Sequence, residues 1–207
     1  MLVIHCKDKQ LALASTIYEN LDAKVVEDEW YERGGVGPLL AQTPPEEPIL
    51  IFGDGDRDGL YSNKFNHEIQ LDPTRFDKPK YFEHVAACIT HPVYILNKIQ
   101  GYLLRKHNGH IIGIWPESSR FARRHKLHGL FTKEFYHNAK DAEHIGTMTL
   151  NSYIDDSNEV LYRTLGEMLG NNVSLRRIPK LLKEEAWKYD HLFTYNFENF
   201  IYIKKTK

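Results

Sequence analysis

The sequence predicts a three-layer α/β domain with a mainly parallel sheet and helices on both faces. Two observations favour this class. Short apolar runs typical of buried strands alternate with segments of helical periodicity, and the chain begins in the order strand, helix, strand, loop, strand. Such an order needs crossover connections, which place parallel strands side by side under helices. With 207 residues, 42 % of them hydrophobic, residues 1–207 are expected to form a single domain.

The N-terminal quarter supplies three predicted strands and two predicted helices. Leu2–Cys6 and Ile49–Phe52 are largely apolar runs of strand length, and Lys24–Asp28 is predicted as a short strand between them. Apolar residues at helical spacing predict an amphipathic helix over 9–21. A short helix is predicted over 38–42, because proline suits the first turn of a helix.

The remaining elements are less regular. Prolines and scattered aromatic residues predict a partly irregular insertion at about 61–92. Helical periodicity returns at residue 93, and C-terminal helices are expected from about residue 152. The further predicted elements are a strand over 110–115, a basic helix over 119–126, a short strand or turn over 127–132, helices over 155–169 and 174–188, and an edge strand over 200–203.

A loop of alternating aspartates and glycines follows the third strand. Asp54, Asp56 and Asp58 repel one another unless a cation, basic groups or shared protons offset them. Ligands of α/β domains bind at the carboxyl ends of the strands, where this loop lies. One hypothesis is a Mg²⁺ or Ca²⁺ site on the three carboxylates, serving a metal-dependent hydrolase with Asp54 and Asp56 as catalytic residues. The alternative is a solvated turn.

Three segments of the chain form a pattern: Gly53-Asp54-Gly55 followed by Gly59-Leu60, the run 111–115 followed by a helix, and the run 125–132. This pattern resembles the caspase-like (clan CD) α/β fold, and in particular small bacterial and mobile-element proteins of that shape. In such folds a histidine normally lies between the glycines after the third strand, and a cysteine follows the next strand.

The matching positions here hold Asp54 and Pro116. Proline has no nucleophile, so the resemblance implies that ordinary cysteine-protease chemistry is lost at these positions. It therefore implies a catalytically degenerate domain that acts as a binding or regulatory protein. Its site would lie near the aspartate loop and Trp115.

A thiol hydrolase is the third hypothesis. Cys88 lies at the end of an apolar run, with His84 or His91 as a candidate base. The alternative is a buried structural cysteine, a role in which free cysteines are common.

A basic cluster on the predicted helix over 119–126 contributes candidate ligand-binding residues, Arg120 and Arg124. The net charge of −1 gives no bulk attraction to nucleic acid, so a protein or small-molecule ligand is expected instead. No apolar run is long enough to span a membrane, and a cytoplasmic location is expected. The C-terminal edge strand would allow an oligomer to form.

Overall fold

A six-stranded sheet forms the centre of the protein. The computed structural model describes residues 1–6, 9–28, 35–61, 94–143, 150–189 and 194–205. In chain order the strands are β1 (Leu2–Cys6), β2 (Lys24–Asp28), β3 (Ile49–Phe52), β4 (Gly55–Asp56), β5 (Gly59–Tyr61), β6 (Tyr94–Leu96), β7 (Ile111–Ile114), β8 (Gly129–Thr132) and β9 (Phe200–Ile203).

The large sheet has the order β2-β1-β3-β7-β8-β9, and β4, β5 and β6 form a small antiparallel sheet. The pairs β1–β2, β1–β3, β3–β7 and β7–β8 are parallel, whereas β9 runs antiparallel to β8. Every residue of β1, β3, β7 and β8 is buried. This is the pattern of strands that are covered on both faces, so the continuous apolar runs follow from the architecture.

Helices cover the sheet. The segments are a 3-10 helix (Lys9–Ile17), α1 (Gly37–Gln42), α2 (Lys98–Leu104), a 3-10 turn (Arg105–His107), α3 (Ser118–Arg124), α4 (Ala139–Glu143), α5 (Asn151–Gly170), α6 (Ile178–Ala186) and α7 (Tyr195–Glu198). The 3-10 helix packs against α5, α1 packs against α2, and α3 contacts β7, β8 and β9. The predicted three-layer α/β class is thus confirmed.

Three predicted helices need correction. The segment predicted as an amphipathic helix over 9–21 is a 3-10 helix that ends at Ile17. The helix predicted from residue 93 begins only at Lys98, because Tyr94–Leu96 pairs with β5 as a strand. Asn97 precedes α2 as its capping residue. Its side-chain oxygen accepts a hydrogen bond from the Ile99 amide, and the Asn97 amide donates to Oε1 of Gln100.

The last predicted helix also starts late, at Ile178 rather than residue 174, with a proline in its first turn. Most of the predicted insertion lies outside the described residues. No helix in the described part of the chain is both long and apolar enough to cross a membrane.

Two buried hydroxyl groups join the ends of β7 and β8. Ser118 Oγ lies 2.9 Å from the carbonyl oxygen of Gly113 and accepts a hydrogen bond from the Thr132 amide at 2.8 Å. Thr132 Oγ1 donates to the carbonyl of Trp115 at 2.7 Å and accepts from the Trp115 amide at 3.2 Å. The two side chains satisfy backbone groups that the parallel ladder leaves unpaired where β7 ends, as burial requires.

We expect Ser118→Ala to lower the free energy of unfolding by about 1–3 kcal/mol, because it leaves the buried Thr132 amide without its acceptor. Urea denaturation measures the change. Ser119→Ala is the matched control, since Ser119 is also buried but has no side-chain hydrogen bond to another described residue. Equal effects of the two substitutions would contradict the role of Ser118.

His107, in the 3-10 turn that follows α2, is buried and contacts Leu40 of α1. Its Nε2 lies 3.4 Å from the carbonyl oxygen of Leu40, and its Nδ1 has no hydrogen-bond partner among the described residues. Burial of the ring lowers the pKa of His107, and the ammonium of Lys106 lowers it further. The folded protein therefore favours the neutral imidazole, whereas the unfolded chain binds a proton near the ordinary pKa of about 6.5.

We expect this histidine to make the fold acid-sensitive. Its contribution to stability is fully present above pH 6.5 and is lost as the pH falls toward the lowered folded-state pKa, because only the unfolded chain gains a proton in that range. Unfolding free energies between pH 7.5 and 5 should thus fall less steeply in His107→Gln than in the wild type. Parallel slopes in wild type and His107→Gln would refute the assignment.

Candidate functional site

The carboxyl ends of β1, β3, β7 and β8 lie at one edge of the large sheet, and the small sheet extends from this edge. β3 continues through Gly53 and Asp54 into β4. The indole Nε1 of Trp115, just past the end of β7, donates to the carbonyl of Asp56 at 3.0 Å. This bond fixes the small sheet to the neighbouring strand end.

The turn between β4 and β5 requires glycine at residue 59. Gly59 has φ +156°, and a Cβ at this position would lie 1.8 Å from the carbonyl oxygen of Leu96 on β6. Only glycine allows the two backbones to approach this closely. The Asp-Gly-rich sequence thus serves tight packing of three short strands.

Asp56 is a structural carboxylate. Its Oδ1 accepts hydrogen bonds from the backbone amides of Asp58 at 2.7 Å and Gly59 at 3.1 Å. Its Oδ2 accepts from the hydroxyls of Tyr61 at 2.9 Å and Tyr94 at 3.1 Å. Through these four donors the Asp56 carboxylate joins the turn to the other two strands of the small sheet, β5 and β6.

The two tyrosines remain protonated donors. Partial burial raises the pKa of Tyr61, and the Asp56 carboxylate raises it further. The same causes, burial first, raise the pKa of Tyr94 to about 12. Near neutral pH both phenols therefore donate to Asp56, and neither supplies a phenolate base.

The other two loop aspartates have different partners. Asp54 is exposed, and its Oδ1 accepts from the Gly55 amide at 2.8 Å. Asp58 forms an ion pair with Arg124 of α3, and the Nε of Arg57 lies 3.9 Å from its other oxygen. The loop charges are thus offset by backbone amides, phenols and guanidinium groups.

This arrangement does not support the predicted metal site on Asp54, Asp56 and Asp58. In the described part of the chain no group of three or more His, Cys, Asp or Glu side chains is positioned to hold a metal ion. Asp56 is engaged by four donors, a role that a hard cation would disrupt.

A cleft of about 490 Å³ lies beside the loop, between the start of α2 and the end of α3. Arg124, a predicted ligand-binding residue, is in its wall. The residues that line it are Asp58, Tyr94, Asn97, Lys98, Ile99, Arg124 and His125. Most of this lining was not predicted, because α2 and α3 meet only through the tertiary fold. Its volume is in the range of small-molecule sites.

The other predicted site residues lie elsewhere. Trp115 is buried, and its indole nitrogen donates a hydrogen bond to the backbone carbonyl of Asp56. It therefore supports the loop rather than facing a ligand. Arg120 is exposed and forms an ion pair with Glu117, the residue just before α3, and it is absent from the cleft lining. Cys88 lies outside the described residues, and the thiol hypothesis stays a prediction.

His137 also lies at this edge of the sheet, although no sequence pattern marks it. His137 follows β8, is buried, and its Nε2 donates to the carbonyl of Gly53 at 2.8 Å. Asn196 positions this segment by accepting from the Tyr136 amide and donating to the Tyr136 carbonyl, both at 2.9 Å. These contacts join residues 60 or more positions apart, so no local sequence pattern could have predicted them.

Comparison with protein-family models, curated proteins and solved structures found no match. The fold class is therefore established by the strand order and layers alone, and the caspase-like relationship is a hypothesis.

We expect Asp56→Ala and Asp58→Ala to differ strongly in stability. Loss of the Asp56 carboxylate leaves two backbone amides and two tyrosine hydroxyls without an acceptor and should destabilise the fold by about 2–4 kcal/mol. Loss of the exposed Asp58 pair should change stability by less than about 1 kcal/mol. Urea unfolding of both variants tests this contrast, and similar values would contradict it.

Proposed function

We propose that this chain is a catalytically degenerate caspase-like domain that acts as a binding or regulatory protein. One observation carries the proposal. The strand ends to which the resemblance assigns the catalytic dyad belong to β3 and β7, which are neighbours in the sheet, and the Gly53 amide donates to the carbonyl of Ile114 between them at 3.2 Å. The dyad positions there hold Asp54 and Pro116.

The side chains around these positions support binding more than catalysis. Neither an exposed carboxylate nor a proline supplies the base and nucleophile pair of covalent catalysis. The nearby Asp56 carboxylate already accepts hydrogen bonds from two backbone amides and two tyrosine hydroxyls. His137 Nε2 is likewise directed at a backbone carbonyl.

The cleft beside the aspartate loop is the proposed binding surface. It lies beside the small sheet, which follows directly from the carboxyl end of β3, and α/β domains generally bind ligands near such strand ends. Its lining combines charged groups, an amide and an apolar side chain, as a recognition site for a small ligand requires.

We expect the purified protein to hydrolyse no peptide amide, ester or phosphate ester above the rate in buffer. The assay compares untreated protein with protein exposed to a chelator, to added Mg²⁺ or Ca²⁺, and to a thiol alkylating reagent. Asp54→Asn and Cys88→Ser serve as matched variants, because both replacements are close in size to the native residues.

Two outcomes would overturn this proposal. Turnover that requires Mg²⁺ or Ca²⁺ and disappears in Asp54→Asn would identify a metal-dependent hydrolase. Turnover that is abolished by alkylation and by Cys88→Ser would identify a thiol hydrolase.

A further inference from the structure

We propose that the cleft binds a small molecule in which an oxyanion, a carboxylate or a phosphate, is joined to an apolar group, and that Asp58 occupies the oxyanion position in the free protein. This inference rests on the proposed binding function and names its ligand class. It is carried by the Asp58–Arg124 ion pair, by the neighbouring Lys98 and by the exposed Ile99.

The lining is electropositive although the whole chain has a net charge of −1. Among the described residues of the lining, Lys98 and Arg124 contribute two positive charges and Asp58 contributes one negative charge. Among the described residues Lys98 has no ion-pair partner. A ligand oxyanion between Lys98 and Arg124 would neutralise the positive charge that Asp58 alone does not offset.

The histidine of the cleft adds no further charge near neutral pH. Burial of the ring lowers the pKa of His125, and the guanidinium groups of Arg105 and Arg124 lower it further. The positive charge of the cleft therefore resides on Lys98 and Arg124, while the neutral imidazole provides a flat wall packed 4.4 Å from the ring of Phe121.

Asp58 is suited to exchange with a ligand. Its side chain is 47 % exposed and that of Arg124 is 51 % exposed, and such solvent-screened pairs contribute little to stability. A ligand oxyanion that also contacts Lys98 replaces one weak pair by two contacts. Asp58 would then swing into solvent while its backbone amide keeps its bond to Asp56.

The apolar part of the ligand is assigned from Ile99. This side chain is 62 % exposed and lies in the cleft wall directly after Lys98 in sequence. An apolar group beside the oxyanion would cover it and gain hydrophobic free energy. The size of the cleft favours a small molecule over a nucleic acid, whose backbone would need an extended row of cations.

Isothermal titration calorimetry tests the proposal with defined probes. Phenyl phosphate and phenylacetate carry both groups, inorganic phosphate and acetate carry only the anion, and benzyl alcohol carries only the apolar ring. We expect at least one of the first two to bind, and to bind more tightly than either the matching simple anion or benzyl alcohol. Comparison of the two aromatic probes shows whether the cleft takes a phosphate or a carboxylate.

Four variants test the assigned residues. Arg124→Gln should weaken binding about tenfold, because a charge-assisted contact is lost, and Lys98→Gln should weaken it by a smaller factor. Asp58→Asn should strengthen binding by about two- to fivefold, since the internal competitor loses its charge. Arg123→Gln is the matched control: Arg123 is exposed on α3 but does not line the cleft, so affinity should stay unchanged.

Absence of binding by both aromatic probes, unchanged affinity in Arg124→Gln, or weaker binding in Asp58→Asn would each overturn the inference. Failure here is distinguishable from failure of the proposed function. If the protein binds phenyl phosphate and also hydrolyses it, the proposed ligand class is supported but the non-catalytic role is refuted. A protein that neither binds the probes nor turns over any substrate would refute only the ligand class.

Discussion

Burial of the central strands on both faces is the constraint on which the rest of the structure depends. β1, β3, β7 and β8 expose no residue, so none of their side chains can reach a ligand from the face of the sheet. Chemistry is confined to the segments just beyond the strand ends. The polar backbone groups released there must also be satisfied, and several polar side chains at this edge serve that need rather than binding or catalysis.

In the aspartate loop, residues of the same type have different roles: some satisfy backbone groups, and one is available for binding. Asp56 accepts hydrogen bonds from four donors and joins the strands of the small sheet. The exposed Asp54 accepts from the Gly55 amide, and Asp58 forms an ion pair with Arg124 of α3. Three carboxylates at alternate positions need their mutual repulsion relieved, and the fold does so by sending them to separate partners. A bound cation is therefore not needed to explain the spacing.

Most of the large sheet was predictable because most of its strands are largely apolar runs, and that signal is local. The small sheet was not, since β4 has two residues, β5 and β6 have three, and β6 pairs with β5 across more than thirty residues. The apolar run 94–96 suits a strand or a helix equally well. The Asn97 and Gln100 capping box could have placed the helix start correctly.

The candidate site, like the fold, was predictable only where the signal is local in sequence. The sequence identified the three aspartates and Arg124 as chemically important. It could not show that the Asp56 carboxylate faces the phenols of Tyr61 and Tyr94, because one of these lies 38 residues away. Nor could it place Lys98 beside Arg124, since that proximity depends on how α2 and α3 pack at the sheet edge.

Exposure decides which interaction of the loop is open to exchange. Asp56 is tied to backbone amides and partly buried phenols, so its removal would leave donors unsatisfied and the turn unsupported. Asp58 pairs with the Arg124 guanidinium, which water and salt already screen, and its only other ion-pair contact with a described residue is with the exposed Arg57 at 3.9 Å. A rigid carboxylate therefore fixes the loop while an exchangeable one, two residues later, faces the cleft. The binding proposal follows from this difference in exposure between chemically identical groups.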